Sequence, residues 1–132
     1  MHNPFSLIGK TILVTGASSG IGRSIAIECS KMGANIILSG RNLERLQETL
    51  LLLQEGQHQY VISDISSEEE IINLVDQLPT LNGCVHSAGV LGLTPIQAIT
   101  KEKIDNIERI NLHAPILLTK HLIKKKKLTR IL

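Results

Sequence analysis

Residues 15–22 read Thr-Gly-Ala-Ser-Ser-Gly-Ile-Gly. They follow a short β-branched run and precede apolar residues at helical spacing, so they are expected to turn a strand into a helix. A helix start offers unpaired N–H groups and a partial positive charge, which suits a pyrophosphate. Gly16, Gly20 and Gly22 would let the turn close tightly and let backbone approach a ligand, with Gly22 also bringing helix against strand. Ser18 and Ser19 offer hydroxyls to phosphate or ribose, and Ile21 lies between the last two glycines. The same residues spell Gly16-Ala17-Ser18-Ser19-Gly20, a match to the Gly-x-Ser-x-Gly elbow of α/β-hydrolases. An elbow serine stands on a sheet already several strands old, whereas a single strand precedes this turn, so hydrolysis ranks last among the readings.

Three further groups fall where later strands should end. Arg41 follows Ser39-Gly40, Asp64 and Ile65 follow a third apolar run, and Ser87-Ala88-Gly89 follow a fourth, preceded by His86. Asn111 sits in Arg109-Ile110-Asn111-Leu112, inside a helical pattern. His58, His113 and His121 show no metal-ligand spacing, and no metal site is expected.

These residues need elements to position them. Strands are expected at residues 10–15, 35–39, 59–63 and 81–86. Between them run amphipathic helices: a first with Ile21, Ile25, Ala26, Cys29 and Met32 on its apolar face, a second capped by Asn42, and a third opened by Ser66 or Ser67 ahead of three glutamates. Thr100 caps a fourth helix, which Pro115 should bend or restart. Short apolar strands between amphipathic helices predict an α/β fold with a parallel sheet covered on both faces. Right-handed crossovers give the first half of a doubly wound, Rossmann-like sheet with strand order 3-2-1-4.

The Gly-x3-Gly-x-Gly spacing within Thr15 to Gly22 resembles the short-chain dehydrogenase/reductase family, whose motif reads Thr-Gly-x3-Gly-Ile-Gly. The resemblance covers about residues 8–123. It implies a nicotinamide dinucleotide held by the glycine turn, Asp64 on the adenine amino group with Ile65 beside it, and Ser87, Ala88 and Gly89 at the nicotinamide ribose. The family usually has Asn-Asn-Ala-Gly where this chain has His86-Ser87-Ala88-Gly89. Family members use a serine, a tyrosine and a lysine four positions later, with an asparagine that holds a water in the proton relay. Asn111 matches that asparagine. The rest of the set is missing: the one tyrosine is Tyr60, and no Tyr-x-x-x-Lys occurs. A carboxylate about 20 residues past the glycines would select NAD through the ribose 2′-OH. Arg41 stands there instead and could grip a 2′-phosphate, so NADP(H) is expected over NAD(H).

The composition, 42% apolar and 20% charged over 132 residues, describes one folded domain or less. No apolar run approaches the ~18 residues of a membrane span, and the start does not read as a secretory signal. Cys29 and Cys84 form no disulfide framework, which points to a reducing cytoplasm. Of fourteen basic residues five lie in Lys124 to Lys127 and Arg130, leaving nine against twelve acids in the body. With one Phe and one Tyr, that body is not a nucleic-acid-binding domain. Residues 1–123 are therefore expected to form an incomplete dinucleotide-binding domain. Residues 124–132 are expected to be a basic tail that no longer resembles the family, read either as the product of a frameshift at the lysine run or as a natural, solvated basic helix end. Such a chain should not turn over substrate alone and should self-associate through an open fourth strand. Rival readings are a dinucleotide-binding module that acts through a partner chain, and a tail that docks on anionic lipid or nucleic acid.

Overall fold

The computed structural model describes residues 2–128. Four strands, β1 (Thr11–Val14), β2 (Asn35–Gly40), β3 (Gln59–Ile62) and β4 (Gly83–Val85), form one parallel sheet in the order β3-β2-β1-β4. Helices α1 (Gly20–Lys31), α2 (Leu43–Leu52) and α3 (Glu68–Gln77) make the crossovers. A fourth connection carries a short 3-10 turn (Ile96–Ala98), α4 (Lys101–Glu108), a π-helical turn (Arg109–His113) and α5 (Ala114–Lys124). The expected strand order is the observed one.

Alternation along each strand divides the core in two. Leu13 and Ile37 face α3 and α5, where they meet Ile71, Leu74, Val75, Leu118 and Leu122. Ile12, Val14, Ile36 and Leu38 face α1 and α2, where they meet Ala26 and Leu46. Each fully buried Leu, Ile or Val contributes about 1.5–3 kcal/mol.

Three helices start on the side-chain caps that the sequence suggests. Asn42 accepts from the Arg45 N–H at 3.0 Å, Ser67 from the Glu70 N–H at 3.4 Å, and Thr100 from the Lys103 N–H at 3.2 Å. Helix α1 is different, because Ser19 at its N-cap makes no side-chain bond.

One expectation needs correction. The buried face of α1 is Gly22, Ala26 and Ser30, whereas Ile21 is 75% exposed and Met32 39%. Small residues at steps of four let α1 lie close to the sheet, and the larger side chains are turned to its flanks. Leu81 is fully buried and forms a parallel bridge with Leu128. Helix α5 continues to Lys124, Lys125 Nζ lies 3.7 Å from Asp76 Oδ1, and Lys127 Nζ donates to the Leu78 carbonyl. Residues 129–132, including Arg130, lie outside the described residues.

Candidate functional site

The carboxyl ends of the strands open on a cleft of about 360 Å³. Its walls include Gly16, Ser18, Ser19, Ile21 and Gly22 from the first turn, Arg41 after β2, Asp64 and Ile65 after β3, and Ser87, Ala88 and Gly89 after β4. Eleven of the twelve residues singled out for cofactor binding thus line one cavity, which separate sequence motifs could not guarantee. The twelfth, Gly20, does not line it. Gly20 opens α1 with φ +57°, and a Cβ there would meet nothing within 4 Å.

The first turn and the loop after β4 are packed backbone against backbone. Gly16 has φ +61°, and a Cβ on it would fall 2.7 Å from both Cα and N of Ala88. A Cβ on Gly22 would fall 2.1 Å from the Gly16 carbonyl oxygen and 2.5 Å from Ser87 Oγ. Thr15 holds the two segments together. Its hydroxyl donates to the Val85 carbonyl at 3.3 Å and accepts from the N–H groups of Ser87 at 3.2 Å and Ala88 at 3.4 Å. Ser87 Oγ donates to the Thr15 carbonyl in return.

Arg23 fixes the turn from the other side. Its guanidinium donates to the Ser18 carbonyl at 2.7 Å, to Thr49 Oγ1 at 2.8 Å and to the Arg45 carbonyl at 3.1 Å. Thr49 Oγ1 in turn donates to the Ala17 carbonyl at 2.8 Å. The carbonyls of Thr15, Ala17 and Ser18 are therefore engaged within the protein. The N–H groups of Gly20, Ile21 and Gly22 precede the first α1 bond, Arg23 N–H to the Ser19 carbonyl, and no side chain caps them.

Arg41 and Arg45 both line the cleft near the start of α2, where the helix dipole disfavours cations. Neither forms a salt bridge among the described residues, in contrast to Arg23, which pairs with Glu48 at 3.3 Å. Asp64 takes two hydrogen bonds on Oδ1, from Ser66 Oγ at 2.7 Å and Ser66 N at 3.0 Å. The Ser66 hydroxyl is the main reason its carboxyl sits below the usual carboxylate range, with smaller help from the Ser66 N–H and Arg41 against the opposing effect of burial.

Asn111 does not line the cleft. It lies in the π-helical turn, and its side chain is bonded twice to Val90: Oδ1 accepts from the Val90 N–H and Nδ2 donates to the Val90 carbonyl, each at 2.8 Å. The Asn111 side chain thereby ties the π-helical turn to the loop that carries Gly89. The wide turn is physically linked to Pro115, which has no N–H to continue an α-helical ladder; the Ala114 N–H reaches the Arg109 carbonyl.

His86 also lies outside the cleft. Its Nε2 is 3.1 Å from Thr119 Oγ1 on α5, and burial pushes its pKa down, favouring the neutral ring. Tyr60 packs on the α1–α2 side of the sheet. Among the described residues no group of three His, Cys, Asp or Glu side chains could hold a metal, and no helix is long and apolar enough to cross a membrane.

Sequence reasoning missed Thr15, Ser39, Gly40, Arg45, Ser63, Val90 and Ile110 as lining residues. Arg45, one helical turn past Arg41, was open to detection by spacing. Ser39 was not, because its hydroxyl gives no pattern. It is 1% exposed, and its Oγ is the buried side-chain polar atom that lacks a hydrogen-bond partner among the described residues.

This geometry has close counterparts. The sequence profile of the family described as short chain dehydrogenase matches residues 10–130. The match runs past Ile123, so family resemblance does not stop at the lysine run. A 3-oxoacyl-[acyl-carrier-protein] reductase, FabG, of Rickettsia felis is 37% identical over 119 residues, covering 90% of this chain and 49% of the relative. The RhlG/NADP active-site complex of Pseudomonas aeruginosa superposes with a TM-score of 0.86 at 27% identity, covering 93% of this chain and 50% of that one. A short chain dehydrogenase structure from Escherichia coli CFT073, complexed with NADPH, gives a TM-score of 0.82 at 32% identity, covering 92% and 55%. The chain spans about half the length of the curated relatives it matches. With its strand order, its glycine turn and a profile match across most of its length, the chain belongs to the short-chain dehydrogenase family.

Proposed function

We propose that the cleft binds NADP(H), and that the chain is the cofactor-binding half of an oxidoreductase that interconverts a carbonyl and a hydroxyl group. One observation carries the reading: the Gly16 turn meets Ala88 backbone to backbone, so that the uncapped start of α1 and the loop after β4 face one cleft. Side chains at positions 16 and 22 would collide with the Ala88 backbone and the Gly16 carbonyl, so the glycines let the two walls of the cleft pack together and leave the N–H groups at the start of α1 open to a pyrophosphate. When bound, a nicotinamide ring supplies or accepts a hydride.

Each residue has a part in holding that group. The N–H groups at the start of α1 face the pyrophosphate, with the Ser18 and Ser19 hydroxyls beside them. Arg41, with Arg45 next to it, takes the 2′-phosphate, since two cations engaged in no salt bridge among the described residues suit a dianion better than a ribose hydroxyl. Asp64, oriented by Ser66, accepts from the adenine amino group with Ile65 beside the ring. Ser87, Ala88 and Gly89 receive the nicotinamide ribose. Asn111 acts through Val90 to set the height of that loop.

No residue of this sequence supplies the family's proton donor, so the reading includes no turnover by the chain alone. Titrating the chain with NADPH and NADH, followed by nucleotide fluorescence, tests the proposal. NADPH should bind at least tenfold more tightly. Equal affinity would remove the role of Arg41, and no binding of either would remove the cofactor reading.

A further inference from the structure

We propose that Ser39 Oγ is a hydrogen-bonding contact for the adenosine half of the bound dinucleotide. The inference rests on the cofactor reading above and adds a residue that the glycine motif and Arg41 do not predict.

Other buried hydroxyls in this fold are satisfied from within. Thr49 donates to the Ala17 carbonyl at 2.8 Å, Ser30 to the Ile27 carbonyl at 2.7 Å, and Ser63 to the Glu70 carbonyl at 3.4 Å. Ser39 Oγ has no such partner although the residue is 1% exposed. A hydroxyl removed from water without a partner destabilises the folded chain, and alanine would fit the same space without that cost. The uncompensated group lies on the wall of the one cleft that the cofactor reading uses.

Its place in the sheet says which part of the ligand it meets. The Ser39 carbonyl accepts from the Ala17 N–H at 3.1 Å, so the residue lies directly against the glycine turn. Ser39 pairs in register with Val61 on β3, two residues before Ser63 and three before Asp64. Alternation along β2 puts its side chain on the face of Ile37, away from α2. The hydroxyl therefore stands between the pyrophosphate turn and the β3 loop. The nicotinamide end, at Ser87 to Gly89, lies beyond β1. A serine hydroxyl both donates and accepts, which suits the neutral ribose and purine groups of an adenosine.

The test uses the full chain and S39A, with S39T as a variant that keeps the hydroxyl. Thermal melting is recorded without nucleotide, and affinities for NADPH and for ADP are measured by calorimetry. S39A should melt no lower than the parent and should lose roughly tenfold in affinity for both nucleotides, the worth of one hydrogen bond. S39T should bind more tightly than S39A. A lower melting temperature for S39A would make Ser39 a structural residue and overturn the inference. So would unchanged affinities, which would mean the hydroxyl is merely wetted, or a loss for NADPH with none for ADP, which would place the contact outside the adenosine half. Failure of the unaltered chain to bind NADPH would overturn the cofactor reading itself, and this inference with it.

Discussion

Gly16 and Ala88 touch through their main chains, with 2.7 Å separating the Ala88 Cα from the point where a Gly16 side chain would begin. The contact joins the ends of two strands that are neighbours in the sheet but some seventy residues apart in sequence, and it determines how deep the cleft between them can be. The positive φ of Gly16 adds a second constraint, since side-chain-bearing residues disfavour that conformation.

Gly16→Ala should therefore lower stability by about 2–4 kcal/mol, from left-handed strain plus overpacking, and should abolish NADPH binding. Gly20→Ala has the same sign of φ but open space around it, so only the strain applies, about 1–2 kcal/mol. Chemical denaturation of the two variants, run side by side, separates space from backbone preference.

Arg41→Gln should weaken NADPH binding roughly 10- to 100-fold while leaving NADH within about threefold. Added salt should narrow the difference for the parent chain, because the contact is between exposed charges. The check is a pair of titrations at low and high ionic strength.

Asn111→Leu removes both bonds to Val90 and leaves a main-chain N–H and carbonyl without them. A loss of about 1–2 kcal/mol is expected, since the site is exposed and water can take up part of the bonding. Faster amide exchange at Val90 should accompany it, read by hydrogen–deuterium exchange.

The carboxyl of Asp64 titrates below the usual range, chiefly because Ser66 Oγ donates to it. A depressed folded value stabilises the fold when the group is charged. The contribution is therefore complete above the unfolded value, about pH 4, and disappears as pH falls through the folded one. Ser66→Ala should make the acid limb of the stability curve shallower below about pH 4. The effect should be small, because Asp64 is only half-buried and the cleft it lines is open to water.

Burial pushes the Cys84 thiol up to about 12 and raises that of Cys29 as well. Neither should form appreciable thiolate at neutral pH. An aromatic disulfide reagent at pH 7.5 should react with both half-buried thiols more slowly than with a free thiol, and at once in denaturant.

Much of the architecture is legible from local chemistry. The β-branched runs, the Asn42, Ser67 and Thr100 caps and the right-handed crossover rule lead to the observed strand order without tertiary information. Most of the cleft follows too, because an α/β sheet gathers its strand-end loops on one side. What the sequence hides depends on packing. Periodicity places Ile21 in the core, but close approach of α1 to β1 reserves that position for Gly22. Asn111 falls at the expected position, yet its partner, Val90, is a main-chain group that leaves no trace in sequence. Ser39 reads as an ordinary strand residue until the neighbours that fail to bond it are known.

Arg23 on α1 links Ser18 on the turn to Thr49 and the Arg45 carbonyl on α2, so one side chain braces two helices and the glycine turn that precedes the first. A nucleotide arriving at such a rim finds it already shaped, and capture costs little ordering of the protein. Truncating this single cationic brace should leave the walls in place but slacken them, so that visitors depart sooner without arriving more slowly.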